Sequence, residues 1–141
     1  MSAAEMLARL ARAATARVEV SSEAGVSGTG AGTVQATREG GVVVLAEAGE
    51  WAPAGGRAMR WRASSRWRAQ GAALAVEHVR QGTPARAVLD WADGAWVGRE
   101  PHVCGQDLYS CTVRPDGDAL AVAWTISGPC KAARVVTRYA G

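Results

Sequence analysis

The stretch MRWRASSRWRAQ, residues 59–70, alternates along its whole length. The odd-numbered positions are mostly apolar and include Trp61 and Trp67, whereas the even-numbered positions hold four arginines, a serine and a glutamine. Successive side chains of a β-strand point to opposite faces of the sheet. The stretch is too regular in this period of two for a helix, so we predict a long strand with one apolar and one cationic face.

The same alternation returns on both sides of this strand. Leu120 to Ile126 and Arg134 to Tyr139 each place apolar side chains on one face, and Val42 to Glu47 is a short buried run. Gly40-Gly41 and Pro115-Asp116-Gly117 are hairpin signals between such runs. We count roughly eight to ten strand-like runs, enough for a closed up-and-down barrel. The prediction is an all-β fold, a small closed antiparallel barrel, with an open sandwich as the alternative.

The first residues follow a different period. Ser2 and Glu5 have the spacing of a capping box, and an apolar stripe follows them at helical spacing. The stripe consists of Ala3, Met6, Leu7, Leu10 and Ala14. We therefore predict a helix over about 2–16 and strands from about 17 onward, all within one domain, 1–141. The helix either packs on the outside of the body or plugs a mouth of the barrel, and the first alternative is favoured.

Composition excludes several classes of protein. Hydrophobic residues make up 48% and charged residues 21% of the 141 residues, which is typical of a globular domain. No run approaches the roughly 20 apolar residues of a membrane span. The start lacks the basic and apolar regions of a signal peptide, so we expect a cytoplasmic protein that contacts no membrane. The net charge of +3 comes from arginines interleaved with acids, and we expect no nucleic-acid partner.

Cofactor and metal signatures are missing from the sequence. The cluster from Gly28 to Gly32 has neither dinucleotide-binding nor P-loop spacing, and strand-like sequence follows it. The three cysteines form no Cys-x-x-Cys motif. We expect no cofactor, no metal site and no disulfide framework.

The arginine face of residues 60–68 has two interpretations. If Trp61 and Trp67 point inward, the arginines form a solvated outer face, which is the favoured interpretation. If the arginines point inward, they need acids or an anionic ligand beside them, because unpaired buried charge is costly. Glu47 is a plausible partner in that case. We therefore include Glu47, Trp61, Arg62, Arg66 and Trp67 among the ligand-binding candidates.

The densest polar cluster is PHVCGQDLY, residues 101–109. His102 and Cys104 share a face if extended, as do Asp107 and Tyr109, and a bulge at Gly105 could bring both pairs to the same side. The cluster then offers a base, a carboxylate and a phenol for proton transfer. The alternative is a structural corner in which these side chains hydrogen-bond the backbone.

Two further residues are candidates from their surroundings. Lys131, the sole lysine, follows a Gly-Pro turn and is either a surface charge or a catalytic ammonium. His78 lies on an alternating strand face, where a packed histidine is the commoner outcome.

A signature in the last third of the chain resembles that of an uncharacterised bacterial and fungal family. The matching residues are His102, Cys104, Gly105, Asp107 and Tyr109, then Trp124, Gly128, Pro129 and Lys131, then Thr137 and Tyr139. The resemblance implies a lipocalin-like, calycin-type barrel. It implies no particular activity.

We therefore expect a pocketed barrel that binds a small, largely apolar molecule as a monomer or homodimer. One hypothesis adds cofactor-independent acid–base catalysis, such as isomerisation, cyclisation or elimination, by His102, Asp107, Tyr109 and Lys131. The candidate ligand-binding residues are Glu47, Trp61, Arg62, Arg66, Trp67, Cys104 and Trp124. A second hypothesis is a non-catalytic binder or carrier of a hydrophobic or anionic molecule, and a third is an interaction domain with a filled core.

Overall fold

The computed structural model describes residues 1–23, 26–80, 82, 84–129 and 132–141. These contain one helix and eleven strands, in this order: α1 (Ala3–Leu10), β1 (Thr15–Ser22), β2 (Gly28–Glu39), β3 (Val42–Pro53), β4 (Met59–Gln70), β5 (Ala73–Val79), β6 (Ala85–Ala92), β7 (Ala95–Gly98), β8 (His102–Cys104), β9 (Asp107–Asp116), β10 (Ala119–Ser127) and β11 (Ala132–Ala140).

All described strands belong to one antiparallel sheet. Its order is β10-β11-β1-β2-β3-β4-β5-β6-β7-β9, and β9 pairs in turn with β10, so ten strands close into a barrel. The short strand β8 lies beside β7 and continues its pairing along β9. The predicted closed antiparallel barrel is confirmed, and the open sandwich is excluded.

Tight turns form one end of the barrel, which we call the helix end. Gly40 and Gly117 occupy two of these turns with φ angles of +61° and +59°, where glycine avoids the strain of a side chain. Both predicted hairpins are therefore present. The opposite end, which we call the loop end, carries the longer connections.

The helix α1 closes the helix end. The Ser2 hydroxyl accepts a hydrogen bond from the Glu5 backbone N–H at 3.1 Å, as the capping motif predicts. Met6 and Leu10 are completely buried and pack in the same cluster as Leu45 and Trp67 inside the barrel. The helix is therefore the plug that the sequence left as the less favoured alternative. Burial of such side chains stabilises the fold by about 1.5–3 kcal/mol each.

The helix is shorter than predicted. It ends at Leu10 rather than at residue 16, because the following chain already pairs with the sheet. The Ala14 N–H donates to the Ala140 carbonyl at 2.7 Å, and the Ala14 carbonyl accepts from the Val34 N–H at 2.9 Å. Sheet pairing thus overrides the helix-favouring alanines of this segment.

The burial of the side chains of the long strand β4 shows which of its two faces points into the barrel. Trp61 and Trp67 are 7% and 1% exposed and point into the barrel. The arginines at 60, 62, 66 and 68 are all exposed on the outer face. The favoured interpretation of this alternation is confirmed.

Candidate ligand-binding site

Burial of the inward-facing side chains changes along the barrel axis. On β11, Tyr139 and Thr137 are 3% and 4% exposed, whereas Val135, nearer the loop end, is half-buried. On β10, Trp124 is buried and Ile126 is half-buried. The inward-facing side chains are therefore less buried toward the loop end than toward the helix end.

We call this less buried part of the interior the cup. Its wall consists of the half-buried residues Val20, Trp51, His78, Tyr109, Ile126 and Val135. Its floor consists of the buried residues Glu47, Ser65, Trp124 and Thr137. The wall is mostly apolar and the floor is mostly polar.

Glu47 is a charged residue inside the barrel and is 3% exposed. Its Oε1 accepts a hydrogen bond from Trp61 Nε1 at 3.3 Å, and its Oε2 accepts a short one from the Tyr139 hydroxyl. Glu47 and Tyr139 stand on β3 and β11, which are three strands apart around the ring. The bond therefore crosses the interior and ties two sides of the barrel together.

Burial raises the pKa of Tyr139 well above 10, and the nearby charge of Glu47 raises it further. The phenol consequently stays protonated at neutral pH and remains a hydrogen-bond donor to the carboxylate. The charge of Arg80 and then the Ser65 hydroxyl oppose part of this rise in pKa. The Ser65 hydroxyl also accepts from Trp67 Nε1 at 2.8 Å, so Trp67 binds a floor residue while its ring packs toward the helix end.

Gly49 gives Trp61 the space to reach Glu47. The two residues are paired across β3 and β4, and a Cβ on Gly49 would lie 2.5 Å from carbons of the Trp61 ring. A side chain there would displace the indole. Glu47 thus accepts the hydrogen bond of the Trp61 indole, and Gly49 leaves the space that the indole ring occupies.

His78 and Trp124 form a second group at the side of the cup. The His78 ring lies 5.9 Å from that of Trp124. Burial, and then the charge of Arg80, lower the pKa of His78 to about 4, so this imidazole is neutral at pH 7. The indole N–H of Trp124 is buried and has no acceptor among the described residues; the same holds for Trp96, deeper in the barrel.

The polar cluster predicted around residues 101–109 forms the β8–β9 hairpin. Cys104 pairs with Asp107 and His102 with Tyr109, so all four side chains share one face. Gly105, with φ of +63°, begins the two-residue turn instead of forming the suggested bulge. Two-residue hairpin turns favour glycine at this position.

The hairpin lies at the loop end, next to the cup. The rings of His102 and Tyr109 meet edge to face at 6.3 Å, and Tyr109 also packs against the core. Asp107 sits against the next connection, because a Cβ on Gly128 would be 2.0 Å from its Oδ1. Cys130 and Lys131, which follow Pro129, lie outside the described part of the chain.

The predicted site residues therefore fall into three groups. Glu47, Trp61, Trp67 and Trp124 are buried inside the barrel, and His102, Cys104, Asp107 and Tyr109 share one face of the hairpin. Arg62 and Arg66 are on the outer face, so the barrel wall separates them from the cup. In the described chain, no hydrogen bond joins the floor to the hairpin.

The sequence did not identify Ser65, Thr137 and Tyr139 as site residues. Thr137 and Tyr139 lie on an alternating face that the sequence did show. Their role could not be read from it, because Tyr139 meets Glu47 from 92 positions away.

A depression of about 760 Å³ also lies on the outer face of β4, β5 and β6. Its lining includes Arg66, Arg86 and Arg99 and also His102, so two of the predicted site residues, Arg66 and His102, border the same depression. Arg86 pairs with Glu77 at 2.8 Å and Arg99 with Asp90 at 2.7 Å. Ion pairs this exposed contribute little to stability, because solvent screens them. We regard this surface as a solvated face.

The described residues contain no group of three His, Cys, Asp or Glu side chains placed to hold a metal ion. Cys104 and Cys111 are free thiols, and burial raises the pKa of Cys111 above its usual value. Cys111 is therefore an unreactive core residue. The one helix among the described residues is too short to cross a membrane.

Comparison with known proteins yields one match. The model of a family of unknown function, DUF6314, matches residues 9–141. No curated protein and no solved structure matches the chain. The matched region includes every strand of the barrel. The chain therefore belongs to the DUF6314 family, a family of unknown function with a β-barrel fold in this member.

Proposed function

We propose that this barrel binds a small, largely apolar molecule in the cup. The observation that carries the proposal is the half-buried wall of inward-facing side chains above a buried polar floor. Small barrels commonly either fill their interior with side chains or hold one small ligand there. Apolar walls with a few convergent polar groups are typical of ligand sites.

The polar floor supports the proposal independently of the wall. A buried carboxylate is costly unless it is well paired, and replacement of such a buried polar group by apolar side chains of similar volume is often neutral or stabilising. A role in recognition accounts for Glu47, Tyr139 and Trp61 being held in this arrangement. The finer expectations belong to the same proposal: a lipocalin-like mode of binding, a single cytoplasmic domain, and a monomer or homodimer with no nucleic-acid or membrane partner.

The test is a ligand screen with a matched pair of blocking variants. Binding to the folded state raises its Tm, so apolar acids, alcohols and ketones are screened by Tm and tryptophan fluorescence. Val135→Trp fills the cup, whereas Arg134→Trp adds the same ring to the outer face of the same strand. We expect ligands that raise Tm for the wild type and for Arg134→Trp but not for Val135→Trp. An unchanged response of Val135→Trp would overturn the proposal, and a complete lack of ligands would favour a filled core.

Acid–base catalysis is a second candidate function, favoured by the hairpin. His102, Asp107 and Tyr109 share one face beside the mouth of the cup, where they could move a proton on a bound molecule. Lys131 follows the connection that Asp107 contacts, and in this proposal it stabilises developing negative charge. The carrier hypothesis requires none of these four residues.

Isotope exchange tests catalysis without knowledge of the reaction. Ketones that bind in the screen are incubated with the protein in D₂O, and mass spectrometry measures deuterium incorporation beside the carbonyl. An enzyme should accelerate exchange, and His102→Gln and Asp107→Asn should abolish the acceleration without loss of binding. Binding without accelerated exchange would support a carrier for these ligands.

A further inference from the structure

The depression on the solvated outer face has a cationic rim and an apolar floor. Its charged lining consists of the guanidinium groups of Arg66, Arg68, Arg86 and Arg99 and the carboxylates of Glu77 and Glu100. The rest of the lining is mostly apolar and includes Ala75. Ala75 faces outward and is nevertheless only 8% exposed, because the longer side chains around it rise above it.

Strand register places two of the arginines at the ends of one row across the floor. Arg68 lies directly opposite Ala75, which lies opposite Val88 on β6. The Arg99 backbone N–H donates to the Val88 carbonyl at 2.8 Å, and the Arg99 guanidinium binds Asp90 on the same outer face. Directly opposed residues share one face of a sheet. Ala75 and Val88 therefore form an apolar floor between two guanidinium groups.

A second row, beside the first, leaves one arginine unpaired. Glu77 lies opposite Arg66 on one side and opposite Arg86 on the other. Its carboxylate forms an ion pair with Arg86 at 2.8 Å, whereas Arg66 forms none among the described residues. The Arg66 guanidinium thus has no carboxylate partner of its own.

Arg68 is the second cation without a carboxylate partner. Its guanidinium donates to the amide oxygen of Gln70 at 3.3 Å and forms no ion pair in the described part of the chain. With Asp90 counted, three carboxylates stand against four guanidinium groups, so an excess of positive charge remains at Arg66 and Arg68. These two side chains leave the same face of β4 two positions apart, which is about 7 Å along the strand.

The sheet is interrupted beneath the depression. β6 pairs with β7 from Leu89 onward, and β8 pairs with β9. No pairing joins the first half of β6 to β8 among the residues that the structure describes. Arg86 lines the depression from β6, and His102 and Val103 line it from β8, so the depression lies over this interruption. The outer face therefore has a recess here and not merely a flat patch of charge.

We propose that this depression binds a small organic dianion, a phosphate monoester or a dicarboxylate, through the guanidinium groups of Arg66 and Arg68. Guanidinium groups bind phosphates and carboxylates through paired hydrogen bonds, and two of them match the charge of a dianion. The apolar part of the ligand contacts Ala75 and Val88. The barrel wall separates this site from the cup, so the inference does not depend on the proposed function.

The test compares two dianions with a monoanion that has the same ring. The probes are phenyl phosphate, phthalate and benzoate, and calorimetric titration measures their affinities at low ionic strength, because salt screens exposed charges. The wild type should bind at least one dianion about tenfold more tightly than benzoate, the value of one charged hydrogen bond. Arg66→Gln and Arg68→Gln should each weaken its binding about tenfold. Arg62→Gln, which removes the same charge from the same outer face outside the depression, should leave the affinity unchanged.

The two dianions distinguish the anionic group of the ligand. Tighter binding of phenyl phosphate alone identifies a phosphate, tighter binding of phthalate alone identifies paired carboxylates, and either result supports the site. Equal binding of all three probes, no binding, or an unchanged affinity in Arg66→Gln or Arg68→Gln would overturn it. An equal loss in Arg62→Gln would assign the binding to diffuse surface charge and would also overturn it.

The two histidines of the chain locate the bound dianion. His102 lines the depression, whereas His78 lies inside the barrel against Trp124. In proton NMR spectra at constant pH, the saturating dianion should shift the ring signals of His102 and leave those of His78 in place, and His78→Gln assigns the signals. A shift confined to His78 would place the dianion in the cup and contradict the inference. Val135→Trp, which fills the cup, should leave dianion binding unchanged, so a failure of the cup as a site would not affect this one.

Discussion

Glu47 can carry its charge in the interior because two donors reach it from different strands. Trp61 approaches from the neighbouring strand, where Gly49 leaves room for its ring, and Tyr139 approaches across the barrel. Each donor therefore stabilises the fold and also holds the Glu47 carboxylate in place within the cup. Substitutions that remove a single donor atom measure what that hydrogen bond contributes.

Removal of the Tyr139 hydroxyl should destabilise the fold. Tyr139→Phe leaves one oxygen of a buried carboxylate without its donor, which costs about 1–3 kcal/mol in the free energy of unfolding. Urea denaturation measures the loss. The matched control is Tyr109→Phe, whose hydroxyl has no hydrogen-bond partner among the described residues and whose removal should change stability by less than about 0.5 kcal/mol. Equal losses for the two variants would contradict the cross-barrel bond.

His78 should make the stability of the barrel depend on pH. Its pKa falls from 6.5 in the unfolded chain to about 4 in the folded one, so below pH 6.5 the unfolded chain binds a proton that the folded chain does not. The resulting loss of unfolding free energy is small above pH 6.5, grows as the pH falls, and reaches about 3 kcal/mol near pH 4. Between pH 7 and pH 4 the wild type should lose more unfolding free energy than His78→Gln by about this amount. Parallel pH profiles would show that His78 titrates normally.

At the scale of the strands, alternation predicts two faces but not which one is inside. The pattern of residues 59–70 fits both orientations, and the cost of burying arginines favoured the one that the structure has. The end of α1 could not be predicted from its own sequence, because Ala14 is bound by Val34 and Ala140 from distant strands. The shared face of the β8–β9 hairpin was expected, although a turn at Gly105 and not a bulge produces it.

The fit between β3 and β4 gives a prediction at this scale. Gly49→Ala places a methyl group 2.4 Å from the Ala31 carbonyl oxygen and 2.5 Å from the Trp61 ring, so the β2 backbone and the indole must both shift. Overpacking of this kind costs about 1–3 kcal/mol. Gly41→Ala, at a turn where a Cβ has no neighbour within 4 Å, should be nearly neutral. Urea denaturation of both variants checks this, and a neutral Gly49→Ala would mean that the Trp61 position is not tightly fixed.

For the whole molecule, the barrel class could be predicted and the site only in part. Period-two segments and hairpin glycines are local features, and they sufficed to predict a closed sheet. The contact of Glu47 with Tyr139 depends on how the sheet closes, which no local pattern encodes. Glu47 was named as a partner for inward-facing arginines and Trp61 and Trp124 as an apolar wall; all three lie inside the barrel, and their binding of a ligand stays a prediction. Arg62 and Arg66 were predicted from their charge and lie outside the cup.

The claim on which the rest depends is that the barrel is closed at the helix end and open to ligands at the loop end. The six tryptophans give six indole N–H signals, so an NMR titration with a ligand from the screen tests it most directly. The signals of Trp51 and Trp124, in the cup, should shift, and those of Trp67 and Trp96, at the closed end, should stay in place. Shifts confined to Trp67 and Trp96, or none in any indole despite a raised Tm, would contradict the account.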